Sequence, residues 1–536
     1  MNRRNFLKTG GALAIAAGTG AKGDPRYIPS NNLGHYDYGS GPVVPTHNWG
    51  HYNFGSGPTV TDRLDQGPFP QYPPDATIPN DDVVMATTPS FEPVPGYGKG
   101  LITYITADMG TAEIQSKNIP QAIEDLVHFP LGQKLYIRPT WREIQPRPGR
   151  LDFPDYIKQV LDLAKTSGKR VAYRVQLSAP DYYNAPALPD FVLDRVPLVK
   201  LTGGVWPGAK REHNPNALYQ PRFQDPFFQD AFKELVGLLA AEFNGSPVIE
   251  FMDTFMYGFW GEGHTWPFTN NPFPDYYTAE RTWMNMLEVQ LENFTKTPLA
   301  TNTQPDFSHV GNSELLDRTV RSNNWMRSDT IFIENEQIEA LSNRPPWTSV
   351  TIEAAIPGRS PQSVPLEEGI SPSDEIISHV MDVGANYWSL WNFHDINAAN
   401  LMSWYRAFPK WFDEINRRIG YRVRPSFIWS YEDQGFLGII IGFANDGIAG
   451  VPGVLRVTVE SQEGKVLMSG CLDPGYPYPG KVRQAQFVLP KGTKFDRLRL
   501  RAEIEVKGVR YPVQWACQQK LNGDGTLTLR TNPRLG

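Results

Sequence analysis

Short apolar runs alternate along the middle of the chain with longer segments in which apolar residues recur every three or four positions. Eight of these runs are predicted strands, at residues 101–106, 134–139, 170–177, 248–255, 298–302, 330–334, 349–354 and 385–391. Intervening segments such as 153–167 and 228–243 are predicted helices. Eight alternating units over roughly 300 residues predict an α/β fold of the (β/α)8 TIM-barrel type. A doubly wound open sheet also alternates and is the other arrangement that fits.

The pattern changes after the predicted barrel, which spans residues 98–420. Runs that alternate apolar and polar residues follow, separated by Gly, Pro and Asp, at residues 436–443, 454–460, 484–489, 497–506 and 526–530. They predict a C-terminal antiparallel β-sandwich over residues 421–536. Such a domain either binds polysaccharide or covers one face of the barrel, and the structural role is the one we expect.

The segment before the barrel, residues 24–97, is rich in Gly, Pro, Asn, Asp and Tyr and poor in aliphatic runs. We interpret it as an irregular segment and not as a domain. It contains a short repeat, GHYDYGSGP at residues 34–42 and GHYNFGSGP at residues 50–58. Two copies are too few for a solenoid. The segment is therefore either a linker or a strap whose tyrosines and histidines pack onto the barrel or extend a sugar site.

The N-terminus, residues 1–23, resembles a twin-arginine export signal. Arg3 and Arg4 precede a short, glycine-rich and weakly apolar stretch. This stretch is too short for a permanent membrane helix, which needs about 20 consecutive apolar residues. We therefore expect a periplasmic or secreted protein without a membrane anchor. Cys471 and Cys517 are the only cysteines, and they form either one disulfide or two free thiols.

Composition narrows the function classes. With 536 residues and 40% hydrophobic residues, the chain can bury a large core in more than one domain. The net charge of -6 gives no electrostatic footprint for nucleic acid or an anionic membrane. The sequence shows no phosphate loop, CxxC pair or H-E-x-x-H motif, so we predict no cofactor. His264 and His394 with Asp395 are a possible metal set, but their spacing does not support one.

Residues 248–266, VIEFMDTFMYGFWGEGHTW, lead from the fourth predicted strand to Glu262, which is surrounded by Trp260, His264 and Trp266. Cleavage of a glycosidic bond requires a carboxylic acid that protonates the leaving oxygen and a second carboxylate opposite it. Aromatic faces pack against sugar rings. This combination predicts carbohydrate chemistry with Glu262 as the proton donor.

Other polar and aromatic residues fall at or just after the predicted strand ends, where a (β/α)8 barrel builds its active site. Those expected to bind substrate are Arg138, Trp141, Gln176, Tyr257, Trp260, His264, Asn302, Glu334, Trp391, Asn392 and His394. Trp266 and Trp388 are further candidates for stacking on sugar, although most tryptophans of a large barrel belong to the core.

Residues 136–176 carry a W-x-x-I-x-P-x-x-G-x-x-D-F turn that begins at Trp141. The segment resembles the second and third units of the retaining (β/α)8 glycoside hydrolases in the clan that includes many β-galactosidases and cellulases. The resemblance covers roughly residues 98–420. The WGE-x-H form and the R-x-x-G-Y-R segment at residues 417–422 resemble poorly characterised bacterial relatives of these enzymes.

The resemblance implies a proton donor after the fourth strand, at Glu262, and a nucleophile at the end of the seventh, at Glu353. Glu334 takes the nucleophile role if the strand count shifts by one. The clan commonly has Asn before the proton donor, to bind the sugar 2-hydroxyl, whereas this chain has Gly261. The missing contact is then expected from one of three asparagines, Asn302, Asn335 or Asn392.

Electrostatics completes the hypothesis. The aromatic surroundings of Glu262 are expected to keep it protonated, because desolvation disfavours the charged form. Arg138 is expected either to keep Glu353 ionised or to form a structural ion pair. The prediction is an exported glycoside hydrolase that acts on a poly- or oligosaccharide, with a retaining mechanism if the carboxyl groups lie about 5 to 5.5 Å apart. A carbohydrate-binding protein without catalysis is the alternative, and a metal-dependent hydrolase or lyase is a third hypothesis.

Overall fold

The structure is a computed structural model that describes residues 57–68, 84–105, 119–180, 186–204, 218–265, 268–302, 318–330, 341, 344–354, 380–390, 398–493 and 497–530. The strands are β1 (Asp65–Gly67), β2 (Val84–Met85), β3 (Gly100–Tyr104), β4 (Lys134–Ile137), β5 (Arg170–Tyr173), β6 (Leu198–Lys200), β7 (Tyr219–Pro221), β8 (Ile249–Asp253), β9 (Leu299–Asn302), β10 (Trp325–Thr330), β11 (Val350–Ala354), β12 (Tyr387–Leu390), β13 (Val423–Asp433), β14 (Phe436–Asn445), β15 (Val454–Glu460), β16 (Val466–Cys471), β17 (Val482–Leu489), β18 (Arg497–Val506), β19 (Val509–Pro512) and β20 (Leu527–Arg530). The helices are α1 (Ile119–Val127), α2 (Trp141–Ile144), α3 (Asp155–Thr166), α4 (Asp190–Leu193), α5 (Pro226–Phe243), α6 (Tyr276–Asn293), α7 (Ala398–Ala407) and α8 (Pro409–Arg418).

Eight strands close into a parallel barrel in the order β3, β4, β5, β8, β9, β10, β11 and β12, and β12 pairs with β3. The predicted TIM barrel is confirmed and the open sheet is excluded. Strand β8, with the sequence IEFMD, is buried at all five positions, because the outer helices cover the face that the interior does not. Helix α5 is one of these helices. Asp225 caps its first turn, Pro226 occupies the N-terminal turn, and its phenylalanines and leucines face the core.

Two antiparallel five-stranded sheets follow the barrel. Their orders are β1-β17-β14-β13-β2 and β16-β15-β18-β19, with β20 also paired to β18. Strand β18 alternates strictly between buried and more exposed positions, the pattern of a sheet with one face on a core. The apolar side chains of both sheets belong to the same core cluster as the barrel. The antiparallel sheets predicted for the C-terminal region are confirmed.

The segment before the barrel differs from the irregular linker that its composition suggested. Strands β1 and β2 form the two edges of the first C-terminal sheet, by pairing with β17 and β13. Asp62 adds an ion pair to Arg456. The two repeat copies, up to residue 56, lie outside the described residues. The described parts of the segment, residues 57–68 and 84–97, thus contribute two strands to the C-terminal sheet.

Most predicted strands agree with the observed ones to within a few residues, but the sixth barrel strand is an exception. It was predicted at residues 330–334 and is observed as β10, Trp325–Thr330. The polar residues near its start, Asn323 and Asn324, conceal it in the sequence. Among the described helices, none is long and apolar enough to cross a membrane.

Candidate active site

Charged side chains from several barrel strands converge at the end of the barrel where the strands terminate. Asp253 is the last residue of β8, Glu353 lies near the end of β11, and Arg327 lies on β10. Glu262 follows β8 in a loop, and Arg174 follows β5 directly. We call these five residues, together with Arg138, the mouth cluster. All six residues are buried.

Arg327 is at the centre of the mouth cluster, because its guanidinium contacts three carboxylates. Its Nε lies 3.0 Å from Asp253 Oδ2. Its Nη1 donates to Glu262 Oε1 at 3.3 Å, and its Nη2 donates to Glu353 Oε2. The two carboxylates expected to perform chemistry therefore lie at the two terminal nitrogens of one planar group.

Glu262 is held in a cage of cations. Arg174 Nη1 donates to its Oε1 at 3.0 Å, Arg138 Nη1 lies 3.9 Å from the same oxygen, and His264 Nε2 lies 3.5 Å from Oε2. Burial pushes the pKa of Glu262 upward, but His264 and the charges of Arg327 and Arg174 outweigh it and hold that pKa well below its usual range. The expectation that Glu262 is protonated in the free protein is wrong, because arginines from other strands surround it.

Glu353 is bound through both oxygens. Tyr104 donates its hydroxyl to Oε1 at 3.1 Å, while Arg327 holds Oε2. Burial, followed by the charge of Glu353, raises the pKa of Tyr104, so that the hydroxyl stays a neutral donor. The sequence suggested Arg138 as the partner of Glu353, but Arg327 is the arginine that forms this ion pair. Arg138 instead lies over the Tyr104 ring, 5.4 Å from its centroid.

A tight loop presents Glu262. Gly258, Gly261 and Gly263 have φ values of +84°, +85° and +77°, a region that residues with a Cβ rarely adopt. Trp260 adopts φ 54° in the same turn, and its backbone N–H donates to Ser178 O at 2.9 Å. The positive φ at position 261 favours glycine, and a Cβ there would lie 3.3 Å from Met256 N.

Three aromatic residues expected to touch sugar belong to the core instead. Trp141 is fully buried, donates through Nε1 to Gln145 and packs edge-on to Phe228. Tyr257 is fully buried and donates its hydroxyl to Ala279 O at 3.0 Å. Neighbouring aromatic rings pack against both side chains. Trp388 is likewise buried beside a helix of the barrel wall.

The remaining predicted residues divide into two groups. Trp260 is partly exposed, and its ring centroid lies 5.4 Å from that of His264, next to Glu262. Gln176 is buried behind the mouth cluster and donates to Arg138 O, and Asn302 is buried at the end of β9. The residues that lie outside the described part of the chain are Glu334, Trp391, Asn392 and His394, together with Trp266 and Asn335.

Arg327, Arg174 and Asp253, which hold the mouth cluster together, are not among the residues predicted from the sequence. An arginine within or after a strand gives no periodic signal, and only the register reveals that these residues meet. Sequence analysis also missed three exposed tyrosines, Tyr219, Tyr276 and Tyr277. They lie on the connections after β5 and β8, and a helix that follows a barrel strand begins at the mouth end. These tyrosines therefore belong to the mouth side of the barrel.

No group of His, Cys, Asp and Glu residues suited to a metal ion occurs within the described ranges. Cys471 is buried and Cys517 is partly buried, and both are free thiols. The sequence allowed either one disulfide or two free thiols, and the structure has two free thiols.

The first residues of the chain, 1–20, match the family of twin-arginine translocation pathway signal sequences. The predicted export signal is confirmed, and it directs the protein to the periplasm or beyond. A comparison with curated proteins found no match.

Several solved structures are similar in fold. Endo-glycoceramidase II from Rhodococcus sp., as its lactosyl-enzyme intermediate, is 9% identical with a TM-score of 0.35, and the match covers 74% of this chain and 99% of that one. The same enzyme with a cellobiose-like imidazole is 10% identical with a TM-score of 0.36 over the same shares. GH5_18 from Streptomyces cattleya, in complex with GlcNAc, is 12% identical with a TM-score of 0.33, covering 56% of this chain and 72% of that one. These likenesses are distant, so the functional argument depends on the geometry of the site.

Proposed function

We propose that the protein is an exported glycoside hydrolase that cleaves a poly- or oligosaccharide by a retaining two-carboxylate mechanism. Glu353 is the nucleophile and Glu262 is the proton donor. One observation carries this proposal: both carboxylates contact the Arg327 guanidinium at the mouth of a closed barrel. The mouth is the end at which barrel enzymes place their active sites.

Glu353 has the environment of a nucleophile. Arg327 and Tyr104 donate to its two oxygens and stabilise the negative charge. In the first step, a Glu353 oxygen forms a bond to the anomeric carbon while the bond to the leaving oxygen breaks, and Glu262 transfers its proton to that oxygen. In the second step, water attacks the anomeric carbon and gives its proton to Glu262, which releases Glu353.

The proton that Glu262 donates must be taken up when the sugar binds, since the free protein holds the residue ionised. A sugar that displaces an arginine contact removes a charge that lowers the pKa of Glu262, and a sugar that displaces His264 removes a hydrogen bond with the same effect. The pKa of Glu262 then rises, because desolvation favours its protonated form. The proposed hydrolase therefore works best at acidic pH.

Retention is the mechanism that the resemblance to the retaining (β/α)8 hydrolases implies. Two carboxylates on the two terminal nitrogens of one arginine are near neighbours. Retaining enzymes have carboxyl groups about 5 to 5.5 Å apart, and inverting enzymes need roughly 6.5 to 9.5 Å for an intervening water. The exposed tyrosines on the mouth side, Tyr219, Tyr276 and Tyr277, are suited to pack against further sugar units.

We assign catalysis to residues 98–420 and a supporting role to residues 421–536, after the export signal at 1–23 and the strap at 24–97.

A carbohydrate-binding protein without catalysis is the second candidate, and the cationic cage of Glu262 favours it. A carboxylate paired with Arg174 and Arg327 is a poor acid and a good acceptor for sugar hydroxyls. The barrel would then bind sugar without cleaving it.

The test is to incubate the purified full-length protein with a panel of polysaccharides and aryl glycosides and to measure new reducing ends. The hydrolase proposal predicts turnover that E262Q and E353Q each abolish, while both variants still bind the substrate. Binding of the same sugars by the wild-type protein with no turnover from pH 4 to 8 would support the second candidate.

A further inference from the structure

Asn302, the last residue of β9, is fully buried. No partner for Nδ2 or Oδ1 is present in the described part of the chain. A buried amide that lacks partners is costly, so its presence in a native protein calls for an explanation such as a bound ligand, water or ion.

The register of the barrel shows where this amide points. Asn302 is the partner of Arg327 in the parallel ladder between β9 and β10. Paired residues of neighbouring strands place their side chains on the same face of the sheet, and Arg327 points to Glu262 and Glu353. The preceding residue, Thr301, points to the other face, where it receives a hydrogen bond from Thr319. Asn302 thus faces the interior space of the mouth cluster.

Two other groups on neighbouring strands share this property. Asp253 Oδ1, at the end of β8, and Arg174 Nη2, just after β5, are buried without hydrogen-bond partners among the described residues. By contrast, Asn386 at the opposite end of the barrel is equally buried, and its amide bonds to Gly98 O and Val350 N. Burial alone therefore does not leave an asparagine of this barrel without hydrogen bonds, and Asn302 differs from Asn386 in this respect.

We infer that the Asn302 amide binds hydroxyl groups of the sugar unit that lies between the two carboxylates, and that it determines which sugar is accepted. This inference rests on the proposed function. A sugar hydroxyl both donates and accepts hydrogen bonds, so adjacent hydroxyls complete Nδ2 and Oδ1 together. A site that hydrogen-bonds a hydroxyl rejects strongly the analogue that lacks it, because its own buried groups remain unpaired. Asn302 is thus a specificity-determining residue and takes no part in bond cleavage.

The first arm of the test measures stability and requires no substrate. N302L and N386L are compared with the wild-type protein by chemical denaturation. N302L is expected to keep or raise the denaturation midpoint, because it removes a polar group that has no partner, and N386L is expected to lower it. A midpoint for N302L that falls as far as that of N386L would show that Asn302 is a structural residue and would overturn the inference.

The second arm measures kcat/KM for an aryl glycoside and its series of monodeoxy analogues, with wild-type protein, N302A and N386A. In the wild type, removal of one particular hydroxyl is expected to lower kcat/KM by 10-fold or more, on the order expected for such sites. N302A is expected to show a similar loss for the parent glycoside and no further loss for that analogue, while N386A keeps the wild-type pattern. If the removal of each sugar hydroxyl lowered kcat/KM by the same factor in N302A as in the wild type, the inference would be contradicted. Absence of wild-type turnover would instead remove the proposed function, and the stability arm would still decide the role of Asn302.

Discussion

The barrel contains a buried acidic cluster at each end, and the two differ in the partners of their carboxylates. At the N-terminal end, Glu250 accepts from Gly98 N at 2.9 Å and Tyr387 OH at 2.6 Å through one oxygen. Its other oxygen lies 2.9 Å from Lys134 Nζ. At the mouth, by contrast, three carboxylates share the guanidinium of Arg327. Each end has buried polar atoms without a hydrogen-bond partner within the described residues: Glu250 Oε2 at the first, and Asp253 Oδ1 and the Asn302 amide at the mouth.

The two clusters also differ in what covers them. Tyr97 covers the Glu250 end by donating to Glu250 O, and it stacks on Tyr511 from the C-terminal sheet at 3.5 Å. The Glu250 cluster therefore joins the barrel to the C-terminal domain as a fixed structural unit. At the mouth, the proposed function requires that arginine contacts exchange with a ligand. The same residue types thus form a structural cluster at the N-terminal ends of the strands and a candidate active site at their C-terminal ends, where barrel enzymes place their active sites.

The largest expected contrast is in turnover. E353Q removes the proposed nucleophile but keeps the size of the side chain and its ability to accept hydrogen bonds from Tyr104. We expect kcat to fall by about 10³-fold or more. E250Q is the matched control at the other end of the barrel, and its folded fraction should keep wild-type kcat. Equal losses in both variants would remove the functional distinction between the two clusters.

The second contrast is in stability. E250Q leaves Lys134 buried without its anionic partner. Removal of one member of a buried ion pair costs about 3–5 kcal/mol, so the free energy of unfolding measured in urea should fall by about this amount. A loss below about 1 kcal/mol would indicate that the cluster is not a structural unit.

The pH dependence of activity follows from the cationic cage of Glu262. Because its pKa lies well below the usual range in the free protein, the protonated fraction shrinks as pH rises. We expect kcat/KM to fall about tenfold for each pH unit above the acidic optimum. An optimum near neutral pH, with activity that declines on acidification to pH 5, would contradict the lowered pKa of Glu262.

The same pKa predicts the sign of acid destabilisation. A carboxylate with a lowered folded-state pKa stabilises the fold at pH values above its usual pKa of 4.5, and this contribution is lost as pH falls through the folded value. The difference in unfolding free energy between the wild type and E262Q should therefore narrow as the pH is lowered below about 4.5. Unfolding curves collected from pH 7 to pH 3 test this expectation, and a constant difference would show that Glu262 is not ionised in the folded protein.

The smallest effect is expected at the rim of the mouth. Y277A removes an exposed ring and should raise KM for long oligosaccharides by about 2- to 10-fold, with kcat unchanged, because an aromatic contact of this kind contributes about 0.5–1.5 kcal/mol. The matched control is F91A, since Phe91 is also exposed but precedes the first barrel strand and lies over Arg417. An equal effect of F91A would remove the case for a tyrosine rim.

The sequence was sufficient to predict the barrel and the location of its two proposed catalytic carboxylates. Periodicity locates strands, and counting strands locates Glu262 after the fourth and Glu353 on the seventh. It was not sufficient to predict the electrostatics. Glu262 has aromatic neighbours along the chain, while Arg174 and Arg327 reach it from other strands. The protonation state was therefore predicted with the wrong sign.

Aromatic residues near a strand end posed a different difficulty. Trp141 and Tyr257 have the composition of a sugar site and the position of one, yet Phe228 and Trp283 enclose them. Whether an aromatic ring faces a ligand or the core depends on contacts between segments that are distant in sequence. The strap before the barrel was underestimated for the same reason, since short strands such as β1 take their stability from their partners.

The central claim is that Glu353 attacks sugar at the mouth of the barrel. It is tested most directly by incubating the protein with an activated 2-deoxy-2-fluoro glycoside of a sugar that it cleaves, followed by mass spectrometry of the intact protein and its peptides. We predict one covalent glycosyl adduct, on Glu353, that is absent from E353Q. An adduct on another carboxylate, or turnover with inverted anomeric configuration and no adduct, would contradict the account.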